Sequence, residues 1–519
     1  MLLCEAGEDT PHGKVPPEIL DSYPGAAYFD PRFHWTELKV DTEVVSHNRP
    51  EEDRPPLRKY EQARVLGGGS SINAQLANRG GREITMNGKR GVPPDAIGTR
   101  FCPISKGSSA IWISLGSGTA GMAASRSAAS SPICGTAIAQ AFHEAGFAYI
   151  QDQNAEFQDG YFPITISSLY DRRVSAAIGY LDPETRLRDN LTISTLTHVT
   201  ELLFESTRCV GVKALVDGKE TEFRGREVIV SSGAIYSPAH LLRAGIGPAG
   251  HLRDLGIDVV AHVLGVGQRL MDHPSISISS FIKPEFRLNG LTRRHILLAL
   301  RYSSGIGAAP AGDMLIAGVS KSAWHAVGEQ IGSLFARAYK TFSETGQVKL
   351  ASRDWRAEPI VEFNLLSDRR DLERLMDAFR RLGAMQVSAA MQDATSDPFP
   401  TAYTERVRAS GVVNKKNKLI TDVIAKLLDG PAWLRRVLIQ RVLGRGYRLD
   451  ELMRDDEALE DFIRKTVIGV RHASCTCRMG SEDDPMAVTD IQYTASAVCA
   501  LSMRRCFQWC PARTPTFRP

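Results

Sequence analysis

Residues 226–232 carry the apolar core Val228-Ile229-Val230, run into Gly233, and lead to Ser237-Pro-Ala-His-Leu-Leu-Arg-Ala-Gly245. So short an apolar run reads as a strand buried on both faces, and the stretch beyond the glycine as a helix closed by Gly245. Strand, glycine and helix in that order are the alternation of a doubly wound α/β sheet, which constrains the fold more than any other feature of the chain.

A second apolar run, Met1 to Cys4, ends on Glu5-Ala6-Gly7. In a dinucleotide-binding βαβ unit an acid at a strand end holds the ribose hydroxyls, about 20 positions past the glycine-rich turn. Four apolar residues alone fit an ordinary strand with a solvated glutamate better. Residues 63–80, ARVLGGGSSINAQLANRG, place three glycines and two serines ahead of Asn73. Glycines let the backbone approach a bulky planar or anionic ligand, and Asn73 has donors and an acceptor to offer. A turn that merely caps a helix is the bland alternative.

The middle of the chain reads as a mixed α+β layer. AIAQAFHEAGF, residues 137–147, has helical apolar spacing at Ile138, Phe142 and Ala145 and is stopped by Gly146. Residues 191–203 are β-rich, and 348–352 and 359–364 predict adjacent strands joined by a turn at Asp354. From Asp371 to Ser388 the residues Leu372, Leu375, Met376, Phe379, Leu382 and Met385 share one face of an amphipathic helix.

Several of these segments together resemble the glucose-methanol-choline (GMC) family of FAD-dependent alcohol oxidoreductases, in wording closest to choline-dehydrogenase-like members. Residues 63–80 are similar to the family's first signature and 230–260 to its second; GVGQRLMDHP (265–274) matches the turn that follows, and HASCTCRMG (472–480) its C-terminal motif. The resemblance implies an α/β FAD-binding domain of Rossmann-like, GMC type, interleaved with an α+β substrate domain built on an antiparallel or mixed sheet. The FAD-binding domain is expected at 1–83, 190–275 and 470–519, the substrate domain at 137–189 and 276–469.

By the same resemblance Glu5 holds the FAD ribose, Val65, Gly68, Ser70 and Asn73 line the flavin and pyrophosphate, and Val199 holds the adenine through its backbone. Ile72 stands where some members attach the flavin through histidine, so FAD is expected to be non-covalent. An alcohol releases hydride only as its hydroxyl proton leaves, so a base is needed, and the resemblance assigns that role to His472. Cys475 and Cys477 lack a second pair to complete a tetrahedral site, and no metal is expected. His273 and His240 read as structural or solvent-facing. The expected substrate is a small-molecule alcohol, and the acceptor stays open among a quinone, an electron carrier and oxygen.

The departures matter as much. The G-x-G-x-x-G turn that receives the pyrophosphate would lie upstream of Met1. Residues 84–135 hold one acid, Asp95, in a Ser/Gly/Ala-rich run, and 491–519 hold no His, Asn or acid where the family carries its second catalytic residue. Out-of-frame translation from 84 to about 135 and from about 495 onward is the expectation, and an inactive, truncated remnant with impaired FAD binding is the alternative reading. These stretches supply Cys102, Cys134, Cys499, Cys506 and Cys510, five of the nine cysteines.

With 63 basic and 59 acidic residues the net charge is +4, which argues against a dedicated nucleic-acid partner. The longest apolar stretches fall short of the ~18 residues of a membrane span, and the N-terminus lacks a basic signal-peptide region. A cytoplasmic location follows as the expectation. Residues 431–444 set Trp433, Leu434, Val437 and Leu438 against Arg435, Arg436 and Arg441, a basic amphipathic segment able to lie on the inner membrane or to be a solvated helix face.

Overall fold

A computed structural model of the chain describes residues 1–44, 54–78, 134–154, 157–288, 293–480 and 483–489. The acid-poor stretch, apart from Cys134 and Gly135, and the tail from Asp490 lie outside the described residues, so the expectations made for them do too.

In chain order the elements that position the site are β1 (Leu2–Cys4), α1 (Cys134–Glu144), β2 (Gly160–Pro163), β3 (Thr192–Ser194), β4 (Thr197–Glu205), β5 (Arg208–Val216), β6 (Lys219–Arg224) and α2 (Gly233–Arg243). They continue with β7 (Pro274–Ile282), β8 (Ile296–Tyr302), β9 (Met314–Val319), β10 (Ile331–Ala338), β11 (Gly346–Lys349), β12 (Ile360–Glu362) and α3 (Arg369–Gln386). Last come β13 (Thr395–Thr401), α4 (Lys415–Leu428), α5 (Ala432–Leu438), α6 (Asp456–Thr466) and β14 (Ile468–Gly469).

The principal sheet runs β13-β7-β10-β9-β8-β2, with β14 paired to β7, and its pairings are antiparallel. Its central strands β7, β8 and β9 are buried on both faces along most of their length. Ile276, Ile278, Leu298, Leu300, Ile316, Leu334 and Ala336 meet Leu372, Leu375, Phe379 and Leu382 of α3 in the main core. Each such side chain contributes about 2 kcal/mol on leaving water. Helix α3 is capped by Asp368, which accepts from the Arg370 amide, and is pinned at its start by a fully buried cluster. There Arg374 is clasped between Asp313 and Asp371, while Asp371 also accepts from the Thr341 and Ser343 hydroxyls.

The strands read at 348–352 and 359–364 form as β11 and β12, paired antiparallel, and the helix read at 371–388 forms as α3. On the other side, β1 pairs in parallel with β3, and β4, β5 and β6 form an antiparallel meander. One expectation fails. Helix α2 begins at Gly233, whose φ of +82° makes the turn, but residues 227–231 belong to no strand. An apolar run demands burial and a ladder partner; among the described residues it has no partner, and Ile229 is 42% exposed.

Candidate active site

The glycine-rich turn is held against the end of β1. Glu8 bridges Val65 in parallel, the Leu66 amide donates to the Glu8 carbonyl at 2.9 Å, and a Cβ on Gly7 would lie 2.1 Å from the Arg64 carbonyl oxygen. Only glycine permits that approach. Glu5 therefore sits beside the turn, its carboxylate accepting from the Gly7 amide at 2.8 Å. Burial raises its pKa, against the pull of that amide and of Arg64. The Thr197 amide donates to the Glu5 carbonyl at 2.8 Å, which brings the start of β4, and with it Val199, to the same place.

Val65 is fully buried beside Ile72, a side chain with no nucleophilic atom. Gly68 adopts φ +55°, and a Cβ added at Gly68 or Gly69 would meet nothing within 4 Å, so the turn presents open backbone of the kind a planar ring or an anion needs. Ser70 and Asn73 are braced from behind. The Ser70 hydroxyl donates to the Gly67 carbonyl at 2.6 Å and accepts from the Ala176 amide at 2.8 Å. Arg173, 1% exposed, donates to the carbonyls of Ser70 and Asn73 and to Asn73 Oδ1, which also accepts from the Gln75 amide. The Asn73 side-chain oxygen is thus engaged, leaving its amide nitrogen as the group to offer outward.

His472 follows β14 between two residues forced into the left-handed region, Arg471 at φ +65° and Cys475 at φ +78°, a strain that persists only where surroundings enforce it. The enforcing group is Asp272, 3% exposed, whose carboxylate accepts from the backbone amides of His273 (2.7 Å), His472 (3.0 Å) and Arg471 (3.1 Å). Gly469 makes room, since a Cβ there would stand 2.2 Å from Asp272 Oδ2. Met271 and Ser474 exchange backbone hydrogen bonds at 3.2 and 3.0 Å and close the clamp. Arg471 then reaches Glu61, just ahead of the glycine-rich segment, at 3.0 Å, and Tyr28 donates to the same carboxylate. The two halves of the site are joined through this ion pair.

The His472 ring meets His273 edge to face, centroids 5.3 Å apart. Burial, then His273 and then Arg337 hold the His472 pKa well below the ordinary histidine range; burial and Arg337 take His273 to about 3. Both rings are neutral at neutral pH, and Nδ1 of each is buried without a hydrogen-bond partner among the described residues. His273, read from sequence as structural or solvent-facing, packs on His472. His240 is half-buried near Arg243, its pKa lowered to about 3 chiefly by desolvation. Asp272, Arg337 and Glu61 went unassigned from sequence; the Asp-His pair was visible in GVGQRLMDHP, but its contact with His472 was not.

Two sequence profiles described as GMC oxidoreductase match residues 58–275 and 342–498. The chain is 34% identical over 510 residues to a 5-(hydroxymethyl)furfural oxidase of Methylovorus sp. (strain MP688), covering 94% of this chain and 86% of that one. It is 29% identical over 367 residues to the mitochondrial choline dehydrogenase of Mus musculus, spanning 69% of this chain and 56% of the relative's length. Among solved structures, pyridoxine 4-oxidase from Mesorbium loti superposes with a TM-score of 0.70 at 19% identity, over 97% of this chain and 88% of that one. A formate oxidase does so at 0.69 and 16%, over 98% and 90%. Those structural likenesses speak for the fold; the profiles and the sequence identity decide the family. The chain belongs to the GMC oxidoreductases, FAD-dependent enzymes that act on alcohol groups.

Proposed function

We propose that the chain oxidises a small-molecule alcohol at its CH–OH carbon, with His472 accepting the hydroxyl proton as hydride leaves. Bound FAD supplies the hydride acceptor, flavin N5. The observation that carries this reading is the clamp around His472: a neutral imidazole, its backbone fixed by Asp272, with a ring nitrogen that no described group engages. A neutral ring takes a proton, and a fixed backbone keeps the ring in reach of one geometry. Glu5 would hold the ribose, the open backbone at Gly68 with Val65, Ser70 and Asn73 the flavin and pyrophosphate, and the Val199 backbone the adenine. Ile72 makes the attachment non-covalent. The acceptor that reoxidises the flavin is a quinone, an electron carrier or oxygen.

In this reading the segments 1–83, 190–275 and 470–519 serve the cofactor, and 137–189 with 276–469 the substrate. The test is flavin absorbance near 450 nm in the purified protein, followed by dye-coupled turnover of a primary alcohol by the parent and by His472→Ala. A yellow parent that turns over alcohol, and a yellow variant slowed by about 100-fold or more, support the reading. The second reading, a remnant impaired in FAD binding, draws on residues 227–231, which lack a ladder partner among the described residues, and on exposed Ile229 and Leu2. A colourless, aggregating product would favour it.

A membrane contact belongs to the same proposal. Helices α4 and α5 pack together and leave Leu419, Ile420, Val423, Leu427, Trp433 and Val437 exposed, Trp433 by 68%. Lys415, Lys416, Lys418, Lys426, Arg435 and Arg436 flank them, the composition that settles on an anionic lipid surface. Among the described residues no helix is long and apolar enough to cross a membrane.

A further inference from the structure

We propose that Arg337 recognises a carboxylate on the substrate, so that the alcohols this chain prefers carry a carboxylate. The proposal rests on the reading of His472 as proton acceptor and names the chemistry of the rest of the molecule.

Arg337 lies on β10 and is 7% exposed. Among the described residues its side chain has no hydrogen bond and no carboxylate; its Nε is buried and unpartnered, and its one contact of note is with the Tyr339 ring, 5.3 Å away. Other deeply buried arginines are held by carboxylates or by backbone carbonyls. Arg374 is clasped by Asp313 and Asp371, and Arg173 donates to three backbone carbonyls. A buried guanidinium without a partner is costly, so its presence here points to an anion that arrives from outside.

Its location connects that anion to the chemistry. Arg337 pairs in register with Ser275, two residues past His273, and its charge helps keep both His273 and His472 neutral. The face that Arg337 shares is mixed. Directly paired strand residues point the same way, so Ser275 and Leu315 beside Arg337, Ser277 and Ala317 beside Phe335, and Arg301 beside Leu315 lie on that face. Arg301, in the same row, is drawn to the Gln153 carbonyl, so the unengaged fork there, that of Arg337, matches one planar, singly charged carboxylate better than a dianionic phosphate.

The test compares kcat/KM for 4-(hydroxymethyl)benzoate with that for its neutral amide, in the FAD-loaded parent, Arg337→Lys and Arg337→Gln. The parent is expected to favour the carboxylate. In Arg337→Gln the carboxylate-to-amide ratio falls about 30- to 100-fold, as loss of a charged hydrogen-bonded pair implies, and Arg337→Lys recovers part of it. Equal losses on both alcohols, no preference in the parent, or a stronger preference for 4-(hydroxymethyl)phenyl phosphate would each overturn the proposal. If neither alcohol turns over, the reading of His472 fails separately, and calorimetry decides on Arg337: benzoate binding without benzamide binding, lost in Arg337→Gln, upholds it, and absence of benzoate binding overturns it.

Discussion

Asp272 is the residue whose removal tests the architecture of the site most directly. Its carboxylate takes three backbone amides at 2.7, 3.0 and 3.1 Å, and at about 1.5–3 kcal/mol for each charge-assisted bond these contribute roughly 5–9 kcal/mol. Burial outweighs these bonds in its titration and lifts its pKa from 3.8 to about 6, a net shift in which the three amides already count. Asp272→Ala leaves those amides without their acceptor, at about 1–3 kcal/mol each, and should destabilise the protein by several kcal/mol at pH 7.5, measured by urea unfolding followed through tryptophan fluorescence. Asp272→Asn should cost less, because an amide oxygen at the Oδ1 position still accepts from His273 and His472 and only the Arg471 amide faces a donor. The pH dependence has a definite sign. With the folded pKa above the unfolded one, the Asp272 contribution is complete below pH 3.8 and is lost as pH rises through about 6, so the parent gains on Asp272→Asn as pH falls from 7 to 4.5. An alanine variant within 1 kcal/mol of the parent, or an asparagine variant less stable than the alanine one, would refute the clamp.

Two further outcomes follow from the same geometry. Since burial, His273 and Arg337 hold His472 neutral to unusually low pH, the acid limb of kcat/KM for a neutral alcohol should have its midpoint below 6.5, and a midpoint at or above 6.5 would contradict the neutral pair. The exposed face of α4 and α5 should carry the protein down with vesicles of anionic lipid but not with vesicles of phosphatidylcholine alone, and Trp433→Ser with Val437→Ser should reduce that binding several-fold; equal sedimentation of parent and variant would remove the membrane contact.

Where one helix face or one turn carries the information, the sequence was readable. Helix α3 announced itself because Leu372, Leu375, Phe379 and Leu382 recur at helical spacing, and the turn at Gly67–Gly68 because both glycines take positive φ and Gly67 also stands too close to Ser71 for a Cβ. The failure at 227–231 has the same root in reverse: Val228-Ile229-Val230 states that burial is wanted, and pairing depends on a neighbour the run itself does not encode. Arg337 was invisible for another reason. Alternation in ISSFI and IGSLFARA shows which residues share a face, yet whether a cation on that face meets a carboxylate is settled only when strands 274–282 and 331–338 come into register. His273 likewise looked structural until the loop carrying His472 was laid against it.

The clamp joins residues far apart along the chain, and that has a kinetic consequence. Asp272 and His472 are separated by 200 positions, and Glu61 and Arg471 by 410. Contacts of such long range close late, because the entropy of the intervening loop is lost before they repay it. During synthesis the principal sheet gains β7 to β10 well before residue 472 leaves the ribosome, so the scaffold can be largely in place while His472 is still missing. On the role proposed for His472, competence for chemistry is the last property the folding chain acquires, and a nascent protein stalled short of Gly469 is expected to be well structured and inert.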